Sequence, residues 1–315
     1  MHRLCVAPMM DWTDRHCRYF LRQVSSSAHL YTEMITTGAL IHGDVHRHLE
    51  FSEEEHPVAV QLGGSEPAEL ASCAKLAEGY GYDEVNLNLG CPSERVQKGA
   101  FGACLMAEPA LVAECVAAIR EKVKLPVTIK HRTGIDAVED YSFLRDFVEA
   151  VSGAGCRTFI VHARNAILKG LSPKDNREIP PLKHDYVYRL KQDFPELEIV
   201  INGGITSKSE IAEHLARVDG VMLGRAAYHD PWLLADAGKT RAAVVRVMFD
   251  YSTREIAKGT SLRAIARHML GLYHGCPRAR IWRRMLSDAE SLRKNDPELL
   301  LRALEEAEPS YAEAA

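Results

Sequence analysis

The stretch Asn88-Leu89-Gly90-Cys91-Pro92-Ser93 sets a thiol just past an alternating apolar run (Val85, Leu87, Leu89) and just before a proline. The run reads as a buried strand, and Gly90 and Pro92 turn the chain out of it. Barrels and open sheets of the α/β class keep their reactive groups at the carboxyl ends of strands. Cys91 therefore stands where a reactive thiol would stand. A free cysteine is as readily a small core hydrophobe, so the decision rests on what the other strand ends carry.

Those ends are polar and rich in glycine. They read Pro8-Met9-Met10-Asp11, Glu33-Met34, Gln61-Leu62-Gly63-Gly64, Lys130-His131-Arg132, His162-Ala163-Arg164, Asn202-Gly203-Gly204 and Gly224-Arg225. The last two follow the seventh and eighth strand-like runs, where barrels commonly bind phosphate. Glycines let backbone N–H groups approach phosphate oxygens closely, and Arg225 adds a charged clamp. Lys130 ends an otherwise apolar strand and needs an anionic or electron-rich partner. His162 is either part of this set or a satisfied core residue. Gln61 offers a donor and an acceptor to a planar ring. One phosphate, a flat ring and a pyrimidine edge together fit flavin mononucleotide, FMN.

The elements that position these residues are regular. Eight strand-like runs, Leu4–Ala7, Leu30–Ile35, Val58–Leu62, Glu84–Leu89, Val127–His131, Thr158–His162, Glu198–Ile201 and Gly220–Leu223, alternate with helix-like segments. The clearest helices are Asp14–Leu21, Pro67–Gly79, Pro109–Val123, Tyr141–Ser152, Asp185–Asp193 and Ser207–Ala216; Pro67, Pro109 and Ser207 are start signals. Such alternation implies parallel strands joined by crossover helices, and eight units predict an α/β fold, a (β/α)8 TIM barrel. A doubly wound sheet is the alternative, but the first strand lacks its Gly-x-Gly-x-x-Gly turn. From about Thr240 only helical periodicity remains. The expected division is a catalytic barrel over 1–237 and an all-helical domain over 238–315.

The chain has 315 residues and is 46% hydrophobic and 26% charged, which suits a globular enzyme, and its net charge of -4 by itself argues against a nucleic-acid binder. No apolar run approaches the ~20 residues of a membrane span, and the amino terminus shows no signal-peptide pattern, so a cytoplasmic protein away from membranes is expected. The eight cysteines form no C-x-x-C pair and match no zinc motif, so neither a metal site nor disulfides are expected. Charge is uneven along the chain. Residues 241–284 hold ten Lys and Arg against Asp250 and Glu255. That block is either a solvated helix face or a nucleic-acid footprint.

Taken together, the sequence resembles the tRNA-dihydrouridine synthase family, and within it the bacterial synthase A subgroup. The resemblance is strong from Val6 to about Arg225 and looser beyond. Its motifs are Ala7-Pro8-Met9-Met10-Asp11-Trp12-Thr13-Asp14, Tyr31-Thr32-Glu33-Met34, Gln61-Leu62-Gly63-Gly64, Asn86-Leu87-Asn88-Leu89-Gly90-Cys91-Pro92-Ser93, Asn202-Gly203-Gly204-Ile205 and Gly224-Arg225. Leu171-Ser172-Pro173-Lys174-Asp175-Asn176-Arg177-Glu178-Ile179-Pro180-Pro181 looks like the subgroup signature. The resemblance implies FMN-dependent reduction of uridine in the D-loop of tRNA, at positions 20 and 20a, with NADPH as reductant. Hydride would pass by way of the flavin to carbon 6 of uracil, and a cysteine, here Cys91, would give a proton to carbon 5. A general acid must hold its proton at working pH, and an ordinary thiol, titrating near ~8.5, does so.

By the same resemblance, Pro8, Met9 and Met10 lie along the flavin, and Gln61 and Lys130 bond its ring edge. His162, Asn202, Gly203, Gly204, Gly224 and Arg225 hold its ribityl chain and phosphate, and Asn88 orients the uracil. Lys174, Asp175 and Arg177 touch tRNA, as do Arg280 and Arg283 of the helical domain. The protein is expected to act as a monomer. Two other readings stay open at this level: an FMN barrel reductase acting on a free pyrimidine, and a tRNA-binding module with a structural flavin.

Overall fold

A computed structural model describes residues 2–93, 96–97, 99–138 and 140–309. Its eight strands are β1 (Leu4–Val6), β2 (Leu30–Thr36), β3 (Val58–Gly63), β4 (Glu84–Leu89), β5 (Val127–Arg132), β6 (Thr158–His162), β7 (Glu198–Asn202) and β8 (Gly220–Leu223). All pair in parallel, in the order β1-β8-β7-β6-β5-β4-β3-β2. The seam between β1 and β2 is bridged at Cys5 and His29. There the His29 N–H donates to Leu4 O at 2.8 Å and the Val6 N–H donates to His29 O at 2.9 Å. Eight parallel strands with helices between them thus form the nearly closed TIM barrel that the alternation predicts.

The strands fall where the apolar runs fall, some with one-residue extensions, while β1 stops at Val6, one residue short of the expected Ala7. β5 runs on through Arg132 and β7 through Asn202, because the ladder needs backbone groups and not apolar side chains; Arg132 pairs with His162, and His162 with Asn202. Helices Pro67–Tyr80 and Pro109–Lys122 start on proline, whose missing N–H is one that a first turn leaves unpaired anyway. Helix Lys208–Leu215 starts with a capping box between Ser207 and Glu210. Helix Tyr141–Gly153 buries Leu144, Phe147, Val148 and Val151, the three- and four-residue spacing of an apolar stripe.

The chain divides into two compact units. One joins the residues up to Met10 with His29–Gly224 and contains the barrel; the other joins Asp11–Ala28 with the helices from Arg225 onward. This division is drawn differently from the composition boundary at 237/238, since helix Arg15–Val24, from the first βα connection, groups with the C-terminal helices. Within that unit Tyr19 stacks on Tyr251 at 3.9 Å, and Asp14 caps helix Arg15–Val24 while accepting from Arg267 at 2.6 Å. Trp282, fully buried, donates from Nε1 to Met269 O at 2.8 Å. Among the described residues no helix is long and apolar enough to cross a membrane.

At the amino ends of the strands the barrel is closed by a buried ionic cluster. His2 Nε2 lies 2.5 Å from Glu84 Oε2, His2 Nδ1 lies 2.7 Å from Glu198 Oε2, and His29 Nε2 lies 3.2 Å from Glu84 Oε2. Burial disfavours the charge on Glu84, but His2 and His29 outweigh it and hold the carboxyl well below its usual range. Burial likewise works against a charged His2, yet Glu198 and Glu84 raise its pKa to about 9. His2, His29 and Glu84 bring ligand-type atoms within 4.8 Å of one another, a grouping that no spacing along the chain announces. The His2–Glu198 separation is that of a charge-assisted hydrogen bond, and the His2–Glu84 contact is shorter still.

Candidate active site

Alternation along the strands builds the other end. Cys5, Ala7, Tyr31, Ala59, Ile160, Val200 and Met222 form one buried cluster with Met9 packed against it. Side chains two residues further on share the same face, so Gln61, His162, Asn202 and Gly224 come next toward the carboxyl ends. Four residues expected at the site thus share one face through the pleat alone. Asn202 donates from Nδ2 to Met222 O at 2.7 Å. Gly203 and Gly204 have φ of +114° and +77°, the region that favours glycine. A side chain on Gly203 would also meet the His162 ring at 2.7 Å.

Cys91 is half-buried in the turn after β4. Asn88 sets that turn: its Oδ1 accepts from the N–H of Gly90 at 3.2 Å and of Cys91 at 3.0 Å, while its Nδ2 donates to Gln61 Oε1 at 2.8 Å. Downstream, the Cys91 carbonyl accepts from the Ala103 N–H at 3.0 Å. Gly102, at φ +79°, lets the backbone close there, because a Cβ would stand 2.6 Å from Cys91 O. The thiol itself donates to Ser93 Oγ at 3.5 Å.

The surroundings are cationic. Burial pushes Lys130 down to about 7, Arg132 pushes the same way, and no carboxylate is among the groups that shift it. Arg132 stays charged at neutral pH, lowered to about 10 chiefly by burial. His162 is pushed well below its ordinary value by burial and by Arg132 and Lys130, so its imidazole is neutral. A positive, glycine-lined strand-end face with an amide and a neutral imidazole suits an anionic, planar ligand of the FMN type.

Three residues outside the expected set hold this end together. Arg132 donates to Gly90 O at 3.0 Å and to Asn176 O at 2.9 Å, tying the cysteine turn to the 171–181 loop. Asn176, fully buried, organises that loop by accepting from the Ile167 N–H at 2.7 Å and donating to Ile167 O at 2.9 Å. Gln97 Nε2 donates to Pro92 O and to Leu168 O, both at 2.7 Å. In sequence Asn176 belongs to the signature string and Arg132 to the polar string Lys130-His131-Arg132, while Gln97 carries no signal.

The remaining expected residues are spread more widely, although the charge of Arg177 reaches Lys130, Arg132 and His162 and disfavours charge on each. Pro8 and Met9 are half-buried after β1, and Met10 is exposed. Lys174, Asp175 and Arg177 lie at a 3-10 turn of the 171–181 loop, with Lys174 and Arg177 exposed. Arg225 opens the short helix Arg225–His229 of the second unit. Arg280 and Arg283 are exposed on helix Ala279–Ser287, which buries Trp282 and Leu286.

The model of one family, Dihydrouridine synthase (Dus), matches residues 5–308. The chain belongs to the dihydrouridine synthase family. It is accordingly an enzyme, an oxidoreductase. Among similar proteins, the "tRNA-dihydrouridine(20/20a) synthase" of Salmonella typhimurium (strain LT2) is 59% identical over 298 residues, covering 91% of this chain and 90% of its own. The protein of the same name from Escherichia coli (strain K12) is 59% identical over 297 residues, covering 91% and 86%. That of a Synechocystis strain is 54% identical over 312 residues, covering 96% and 93%.

Proposed function

We propose that this enzyme reduces uridine to 5,6-dihydrouridine at positions 20 and 20a of tRNA, with FMN as bound cofactor, NADPH as reductant and Cys91 as proton donor. The observation that carries the reading is the Cys91 turn, fixed by Asn88 and Gln61 beside the cationic pair Lys130 and Arg132. The names of the relatives support the substrate and its positions. When bound, FMN supplies hydride chemistry.

The chain's own residues do the rest. Gly203 and Gly204 leave room for backbone N–H groups to reach a phosphate, and neutral His162 adds a hydrogen-bonding ring. Lys130 and Arg132 favour a ligand that gains negative charge on reduction. Met9 covers the apolar cluster on which a flat ring would rest. Cys91 Sγ gives its proton to carbon 5, and Ser93 Oγ, 3.5 Å away, orients the thiol. Helices of the 238–315 domain bind the tRNA, and the target base is drawn out of its stack to reach Cys91.

Two measurements test these roles where they arise. Lys130, at about 7 in the free protein, gains an anionic partner on FMN binding, so its pKa rises and binding takes up a proton above pH 7. FMN affinity therefore falls by up to about tenfold between pH 7.5 and 8.5. A Lys130→Met variant should bind more weakly at pH 6.5 and show no such slope; a wild-type curve parallel to the variant's would remove Lys130 from the ring edge. For the helical domain, replacing Arg280 and Arg283 by alanine should flatten the dependence of log affinity on log salt by about 1.5 to 2. An unchanged slope in filter binding would place the phosphate contacts elsewhere.

The experiment that tests the whole is NADPH-driven turnover of transcribed tRNA against free uracil. Dihydrouridine mapped to positions 20 and 20a of tRNA, with no turnover of the base, is the expected result. Turnover of free uracil at a comparable rate would sink it, as would purified protein without yellow flavin.

A further inference from the structure

A file of side chains links the ionic cluster at the closed end of the barrel to the cysteine turn at the other. Glu84 Oε1 accepts from the hydroxyl of Thr128. Thr128 Oγ1 accepts from Asn86 Nδ2 at 2.8 Å, and Asn86 Oδ1 accepts from Gln61 Nε2 at 2.7 Å. Gln61 Oε1 accepts from Asn88 Nδ2 at 2.8 Å, and Asn88 Oδ1 accepts from the N–H groups of Gly90 and Cys91. Glu84 and Asn86 are fully buried, and Thr128 and Gln61 are 1% exposed, so these four are shielded from bulk water.

Chemistry gives this file one direction. An ionised carboxylate can only accept, so the single proton of Thr128 points to Glu84 and its lone pairs face an NH2 group. Asn86 must then offer its oxygen to Gln61, and Gln61 its oxygen to Asn88. At the far end, two backbone N–H groups can only donate, which demands the oxygen of Asn88. Turning any one amide over sets donor against donor and acceptor against acceptor, at about 1 kcal/mol or more per broken link. Both ends agree, and the file is locked between them.

We propose that Thr128 and Glu84 are positioning residues for the reaction, which from the closed end lock the amide orientation of Gln61 and Asn88. Neither touches the reacting groups. Their effect is to reinforce, from the other end, the orientation in which the Gln61 amide meets the flavin edge and in which Asn88 Oδ1 stays on the cysteine turn. The inference rests on the FMN reading for what Gln61 meets, but not for the lock itself.

The test is a double-mutant cycle read by FMN affinity. Thr128→Val removes the hydroxyl, frees Asn86 Nδ2 and should weaken FMN binding about fivefold, the fold-change of one neutral hydrogen bond. Thr128→Ser should restore it. In a Gln61→Ala background Thr128→Val should have no effect on affinity. A fall of equal size in both backgrounds would overturn the proposal, as would an unchanged affinity beside a lowered melting temperature. Exchange of the carboxamide protons of Gln61 and Asn88, followed by NMR without ligand, should speed up in Thr128→Val and not in Thr128→Ser. That readout separates a failed lock from a failed FMN reading: wild-type protein that binds no FMN, yet shows the exchange difference, would sink only the cofactor assignment. Should Thr128→Val not fold, Thr128→Ala carries the same comparisons.

Discussion

Replacing Cys91 by alanine is expected to lower dihydrouridine formation in tRNA by about 10²- to 10⁴-fold, the usual worth of a positioned proton donor. Adding hydrogen across the uracil double bond takes one hydride and one proton, and only the proton is the chain's own to give. The turn that carries Cys91 does not depend on its sulfur. Its N–H is held by Asn88 Oδ1, its carbonyl by the Ala103 N–H, and the backbone closes over Gly102. Alanine should therefore leave the turn, the FMN affinity and NADPH-driven flavin reduction near wild-type levels. Nucleoside analysis of treated tRNA, beside the flavin absorbance change with NADPH alone, separates the two halves. Wild-type dihydrouridine from Cys91→Ala would assign the proton to another group. Cys91→Ser, with a far weaker acid in the same place, should recover little.

The second large effect lies at the other end of the barrel. Replacing Glu84 by leucine should cost about 3–5 kcal/mol of stability, because it strips a buried charge pair of one member. Glu84 is fully buried and is one of the two carboxylates that keep His2 charged. Without it His2 faces Glu198 alone, and the Thr128 hydroxyl loses its acceptor. Domains of ordinary stability hold only about 5–15 kcal/mol in total, so this variant should unfold at much lower urea. Glu84→Gln keeps an acceptor for Thr128 and should cost less. Equal urea midpoints for wild type and Glu84→Leu would mean that the cluster contributes nothing net.

The elements of this protein were legible because their causes are local. A two-residue apolar period and a helix start on Pro67, Pro109 or Ser207 act within a few residues, so strands and helices fall close to where those patterns put them. Once the strands are known, the pleat alone brings Gln61, His162, Asn202 and Gly224 to one face. The Cys91 motif was legible for the same reason, being a contiguous string at one strand end.

What the chain does not display is which distant residues meet. Arg132 joins Gly90 and Asn176 across 42 and 44 residues, and in the string Lys130-His131-Arg132 nothing marks it as the brace. His2, His29, Glu84 and Glu198 stand at or just before the amino ends of four different strands, and only closure of the barrel brings them together. His16 hydrogen-bonds Tyr251 across 235 residues, which is why helix Arg15–Val24 groups with the C-terminal helices. Periodicity tells that a face is buried, since burial depends on the residue types along that face. It does not tell what covers the face, because that depends on the shape and polarity of a partner elsewhere in the chain. The sequence by itself determined the barrel and the thiol at its rim; the tertiary structure alone decided which charges close the floor and how a line of amides carries their orientation up to that thiol.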